Sequence, residues 1–231
     1  MERKEFIKRL GLGSLMVPIM AACASDDPTP EDTSTSGDCT VSPTETAGPF
    51  PTKSPSSLAM VDIRSDRTGI VMDVNITIQN KDNNCEPLED AIVDIWHCDK
   101  DGYYSEYGGS GMQTADFQSV HFLRGRQSSN TNGLVSFKTI FPGWYSGRAP
   151  HIHVHVYDST GTSLLVTQIA FPTAICNTVY TTATQYYTKG TQDTSNASDN
   201  VFSDSVADEM SSVTGSVDEG FVLSKTIVVD A

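Results

Sequence analysis

Residues 145–153 read Tyr-Ser-Gly-Arg-Ala-Pro-His-Ile-His, which places a phenol, a guanidinium and two imidazoles within nine positions. His151 and His153 stand at i and i+2. On a β-strand that spacing projects both rings from one face, because successive side chains alternate sides. His155 continues that face, and Ile152, Val154 and Val156 point to the other. Parallel imidazoles with a tyrosine and an arginine just upstream suit a metal site. Spacing alone leaves two other readings open. One is a polar strand face whose histidines meet water. The other is a zinc or copper site built on His151, His153 and His155, in which the two nearby phenols are less natural, since zinc sites draw mostly on His, Cys and carboxylates.

The segments around this stretch read mainly as strands. Met72, Val74, Ile76 and Ile78 alternate with Asp73, Asn75, Thr77 and Gln79, the period of a half-buried strand. A polar turn over 80–84 follows. Residues 91–97 form the next strand, 134–139 another, and 152–157 the histidine strand. Thr160-Gly161 is a hairpin turn, 164–171 runs back, and 221–229 is a last strand. A short helix is predicted within 176–187, and the polar loop 188–199 is predicted to be exposed. Short strands separated by turn residues point to an all-β fold, an antiparallel β-sandwich core with long loops. His97 and His121 are expected to be structural, and Trp96 to belong to the core.

The ends of the chain carry different signals. Arg3, Lys4, Lys8 and Arg9 precede an apolar run from Leu10 to Met20, shorter than the roughly 20 residues needed to span a bilayer. Met20-Ala21-Ala22-Cys23 follows. This resembles a bacterial lipobox and implies that 1–22 is a lipoprotein signal peptide with lipid attached to Cys23. Residues 2–8 resemble a twin-arginine export signal with Arg-Lys in place of Arg-Arg. Residues 23–38, rich in Ser, Thr, Asp and Pro, read as a disordered tether. The domain is then 39–231, long enough for a sizeable core. These features imply export to the cell envelope, with the membrane met only through the lipid anchor.

The chain holds 15 basic and 29 acidic residues. Its leader takes four of the basic and two of the acidic ones, so 11 basic side chains face 27 acidic ones in the remainder. That balance speaks against nucleic acid and against charge-driven binding to anionic lipid. Beyond Cys23, the cysteines are Cys39, Cys85, Cys98 and Cys176, which permit two disulfides in three connectivities. Cys85 and Cys98 flank one strand and lie too far apart to bond to each other.

Further segments bear on the chemistry. Asp94-Ile95-Trp96-His97-Cys98-Asp99 leads to Gly102-Tyr103-Tyr104-Ser105. Phe122-Leu123-Arg124-Gly125 and Phe141-Pro142-Gly143-Trp144-Tyr145 come next, and Thr44-Glu45-Thr46-Ala47-Gly48-Pro49-Phe50 lies upstream. In this order, from about Cys39 to Phe171, the sequence resembles the intradiol ring-cleavage dioxygenases, the family of protocatechuate 3,4-dioxygenase and catechol 1,2-dioxygenase. The resemblance implies a β-sandwich and a mononuclear Fe(3+) centre with two Tyr and two His ligands. It implies a small catechol-type aromatic and O2 as partners, the ring opening between its hydroxyl-bearing carbons. Carried over by motif, the metal ligands are Tyr104, Tyr145, His151 and His153. Tyr145 is the one that leaves the metal when substrate binds. Arg148 stabilises negative charge on the substrate, and Gln168 is a polar neighbour. Phenolates and imidazoles are apt ligands for iron, and a planar, permanently charged guanidinium suits a flat anion. The chain departs from the cytoplasmic members in lacking room for their helical dimerisation domain and in the short loop between Tyr145 and His151. A non-catalytic, ligand-binding lipoprotein on the same sandwich is the competing reading.

Overall fold

The computed structural model describes residues 39–231. The residues read as a signal peptide and tether, Cys23 included, lie outside the described residues. Among the described residues nine strands make two sheets. One contains β1 (Val71–Asn80), β2 (Glu86–Pro87), β5 (Leu134–Ile140), β8 (Ser212–Ser216) and β9 (Gly220–Val229). The other has the order β4 (Arg124–Ser128), β3 (Ile92–Trp96), β6 (His151–Tyr157), β7 (Ser163–Ala170).

Period-2 patterning explains how the sheets face each other. Met72, Val74, Ile76 and Ile78 of β1 are fully buried, and so are Val93 and Ile95 of β3 and Ile152, Val154 and Val156 of β6. All belong to one apolar cluster. Each such side chain withdrawn from water contributes roughly 1.5–3 kcal/mol before conformational entropy is charged against it. Burying one face of β6 in this way leaves His151, His153 and His155 no alternative but the other face. The all-β sandwich expected from the sequence is thus present. Its strand pairs are antiparallel except β1 with β9, which run parallel from Met72↔Phe221 to Asn80↔Val229.

The helix is α1 (Thr173–Thr182), several residues earlier than the predicted window. Pro172 supplies the start, since proline fits a helix entrance but not its interior. A single-turn helix, α2 (Val206–Glu209), packs near β7. No helix among the described residues is long and apolar enough to cross a membrane.

One disulfide forms, between Cys39 and Cys85, and it ties the start of the domain to the turn after β1. Cys98 and Cys176 are buried free thiols, so the second permitted bridge is not made.

Candidate active site

The site lies on the outer face of the four-stranded sheet, at the start of β6. Register aligns its floor across three strands: Trp96 pairs with His153, and His153 pairs with Gln168. Trp96 is buried as expected, but beside the site instead of between the sheets. Its indole stacks on the His153 ring at 4.9 Å and 5°. Gly48 covers the imidazole, and a Cβ there would stand 2.9 Å from His153 Cε1. With φ at +67°, position 48 also demands the left-handed backbone that glycine tolerates.

Two loops bring the phenols. Tyr104 comes from the long β3–β4 connection and is fully buried. Its backbone is clamped by Gln113, whose Oε1 accepts from Tyr104 N at 2.7 Å and whose Nε2 donates to Tyr104 O at 2.8 Å. Phe50 stacks on its ring at 4.8 Å. Tyr145 comes from the β5–β6 loop and is half-buried. Its ring centroid lies 5.9 Å from that of Tyr104 and 5.8 Å from that of His151.

His151 Nδ1 lies 2.6 Å from Ala149 O. A carbonyl only accepts, so Nδ1 carries the proton and Nε2 presents a lone pair. That lone pair faces His153 Nε2 at 3.1 Å and the Tyr104 hydroxyl at 3.2 Å. Two buried donor atoms thus lie within 3.2 Å of His151 Nε2. Ligands around a single ion stand at about this spacing when imidazole–metal bonds are roughly 2.1 Å. Burial holds His151 down to about 3 and His153 well below the usual imidazole range, with Arg148 adding to both. Both rings therefore stay neutral and able to ligate. Burial alone pushes Tyr104 well above an ordinary phenol, and Tyr145 upward too. Only a strong local cation would reverse that and hold them as phenolates. Two neutral imidazoles and two phenols that burial holds protonated, despite the nearby Arg148, fit a hard, highly charged metal ion such as ferric iron.

The three-histidine alternative is overturned. Among the described residues no group of three or more His, Cys, Asp and Glu has the geometry to hold a metal. Four residues of strand separate His151 from His155 by roughly 13 Å, too far to share an ion. His155 instead bonds Ser163 Oγ at 2.8 Å and the Tyr157 hydroxyl at 2.9 Å. His97 is structural as expected, held by Cys98 O and Thr139 Oγ1 at 2.8 and 2.7 Å. His121 is a surface partner of Glu106.

Arg148 lines a cavity of about 410 Å³, with Gly48, Pro49, Met112, Tyr145 and Val201 among its other walls. A second cavity of about 160 Å³ adjoins the other side of Tyr145, bordered by Asp101, Gln113 and Lys189. Gln168, the register partner of His153, sits beside Arg148. Its Oε1 accepts from Arg148 Nη2 at 2.6 Å, and its Nε2 donates to Thr46 O at 2.8 Å.

Two residues escaped the sequence reading. Asp199, placed there in an exposed loop, has no exposed surface and binds Arg148. Arg124 is fully buried behind Tyr104, where it donates to Phe50 O, Thr52 Oγ1, Ser105 Oγ and Ser105 O. A buried guanidinium needs a full set of acceptors; Arg124 stands in the Phe122–Gly125 segment that carries the resemblance, but that segment alone assigns it no role.

Residues 48–203 match the family model described as "Dioxygenase". The sequence is 28% identical over 142 residues to a chlorocatechol 1,2-dioxygenase of Rhodococcus opacus, covering 53% of this chain and 51% of that protein. It is 28% identical over 88 residues to catechol 1,2-dioxygenase 1 of Acinetobacter lwoffii, 38% of this chain and 26% of that protein. The chain thus spans about half the length of the first relative and about a quarter of the second. The fold resembles an intradiol ring-cleavage dioxygenase from Tetranychus urticae, with a TM-score of 0.74 at 26% identity over 83% of this chain and 95% of that one.

Proposed function

The chain belongs to the intradiol ring-cleavage dioxygenase family, and from that premise we propose that it opens a catechol-type ring between the two hydroxyl-bearing carbons. Both atoms of O2 enter the product, a muconate-type diacid, so the reaction balances without an external reductant. The observation that carries this reading is the approach of His153 Nε2 and Tyr104 Oη to within 3.2 Å of His151 Nε2, beside a cavity that Arg148 lines. Tyr104, Tyr145, His151 and His153 would hold the iron. When bound, ferric iron would supply a Lewis-acidic centre that chelates the catecholate and makes its ring electron-rich toward O2.

The protein's own groups have separable tasks. Tyr104, clamped by Gln113 and stacked on Phe50, is the fixed phenol. Tyr145 is the mobile one, since it is half-buried and borders open space on both sides. As a phenolate, its oxygen would be basic enough to accept a catechol proton. Trp96 and Gly48 hold the His153 ring between them and keep water from that face. Arg148 offers a fixed cation to the negative charge that builds on the ring as O2 is attacked, electrostatic stabilisation arranged before the reaction starts. The names of the curated relatives support catechol and chlorocatechol as the first compounds to try. The Met20–Cys23 pattern supports a lipid-anchored envelope location, which a Cys23→Ala variant that leaves the membrane fraction would bear out.

The test is direct. Protein purified with iron should be red to brown from tyrosinate-to-iron absorption and hold about one iron per chain. With a panel of catechols it should consume O2 and yield products heavier by the mass of O2. Fully metallated protein that is colourless and iron-free would overturn the reading, as would coloured protein that consumes no O2 with any catechol.

A further inference from the structure

Arg148 does not stand alone in its cavity wall. Its Nε lies 3.0 and 2.9 Å from the two carboxylate oxygens of Asp199, and its Nη2 donates to Gln168 at 2.6 Å. The Phe202 ring covers the guanidinium face at 5.6 Å. Nη1 makes no close hydrogen bond of the kind that Nε and Nη2 make among the described residues, and that edge faces the cavity, where the Tyr145 hydroxyl is its neighbour. The same Asp199 carboxylate accepts from Ala149 N at 2.6 Å and from Val201 N at 2.9 Å. Ala149 leads through Pro150 into His151, and Val201 is a wall of the cavity. One fully buried carboxylate therefore fixes the arginine, the approach to the first histidine and part of the substrate wall.

Resting on the function proposed above, we propose that Asp199 is a positioning residue: it holds the Arg148 guanidinium so that its remaining edge, beside Tyr145, faces the substrate ring. A flexible arginine in an acidic protein would spend its time on other carboxylates or in water. Two oxygens on Nε and one on Nη2 leave a planar fork a single orientation. The role needs no contact between Asp199 and substrate or metal.

Asp199→Asn keeps the volume and one acceptor but turns an amide N–H₂ toward Arg148 or the backbone donors. The expected result is a folded protein with unchanged iron content whose kcat falls roughly 10²-fold, the scale of a misplaced catalytic group. KM should change little, because the group acts chiefly as charge develops. The deciding measurement is the double-mutant cycle. Arg148→Ala with Asp199→Asn should be no slower than Arg148→Ala alone. Near-normal kcat in Asp199→Asn, or losses that multiply in the double variant, would overturn the inference while leaving the function intact. If Asp199→Asn does not fold, Arg148→Lys takes its place. Lysine keeps the charge but cannot engage both Asp199 oxygens and Gln168, so kcat should still fall at least tenfold, and an unimpaired Arg148→Lys sinks the proposal. If the wild type cleaves no catechol, the function falls. The same cycle is then read from 4-nitrocatechol affinity by optical titration: coupled losses support the positioning role, and additive losses, or no binding at all, refute it.

Discussion

Gly48→Ala tests how the metal end of the site is built. An added Cβ would lie 2.9 Å from His153 Cε1 and 3.4 Å from His153 Nε2. Real Cβ contacts do not reach the first distance, so either the ring or the 46–50 segment must move. The ring has little room, because Trp96 is stacked flat on it at 4.9 Å. Nor can the segment move freely, since Gln168 Nε2 bonds Thr46 O at 2.8 Å and Glu45 N bonds Val166 O at 2.8 Å. The φ of +67° adds about 1 kcal/mol for any residue with a Cβ. With the clash included, a loss of about 2–3 kcal/mol of stability is expected. In a domain of this size each 1 kcal/mol lowers Tm by about 2–4 °C. Because the clash falls next to the ligating nitrogen, iron affinity should drop about 10- to 100-fold, the range seen when support around a ligand is lost. The assay is iron retained after dialysis against graded chelator, with Tm measured on metal-free and loaded protein. A variant destabilised by the expected amount that binds iron as tightly as the wild type would refute the idea that Gly48 sets the position of the His153 ring.

Three more outcomes follow from the structure. Tyr104→Phe and His153→Ala should abolish iron binding or colour, whereas His155→Ala should keep both, since His155 is engaged with Ser163 and Tyr157; metal analysis of the three variants decides it. Glu209 is buried, and burial, together with the hydrogen bond and charge of nearby Glu45, raises its carboxyl from 4.5 to about 8. The folded state then keeps a proton that the unfolded state releases, so this residue costs stability as pH rises from about 4.5 to 8. Glu209→Gln should match the wild type near pH 4 and exceed it by on the order of 1–3 kcal/mol above pH 8; a stability difference flat with pH would contradict the assignment. Finally, the Cys39–Cys85 bridge closes a loop of 46 residues. Replacing both cysteines by serine should lower the denaturation free energy by about 2–4 kcal/mol, with cleavage activity of the folded protein retained; an unchanged denaturant midpoint would show that the bridge constrains nothing.

What could be read in advance was what local pattern dictates. The alternation of Met72 to Ile78 and of Ile152 to Val156 fixes which faces are buried, and so places His151 and His153 together on the outer face. The strands that escaped notice are edge strands without that pattern. β4 is Arg-Gly-Arg-Gln-Ser, and its Arg124, on the same outer face as Trp96 and His153, is buried because the 50–52 segment and Ser105 supply its acceptors. Charged residues of this kind on an edge also discourage pairing with other chains. The parallel β1–β9 pair joins segments about 150 residues apart, and no short-range feature selects parallel over antiparallel pairing there.

The legible part of the site has the same boundary. Tyr104, Tyr145, Arg148, His151 and His153 stand in short motifs, and their types state their chemistry. Asp199 stands in a polar run of Asp, Thr, Ser and Asn that reads as a solvated loop, 51 positions from the arginine it holds. The pairing was nonetheless demanded by electrostatics. An arginine that lies beside two neutral imidazoles, within a domain carrying 22 acidic side chains, is either solvated or matched. Arg148 is only 8% exposed, so it must be matched, and burying a guanidinium without a partner would cost several kcal/mol. Sequence can state that such a carboxylate exists; only the folded chain selects Asp199 from among the candidates. The same step decides what the cation does. A solvated arginine would add a diffuse field that salt screens. Held on one edge by Asp199 and on another by Gln168, it instead offers the cavity one oriented N–H₂, which discriminates by position as well as by charge.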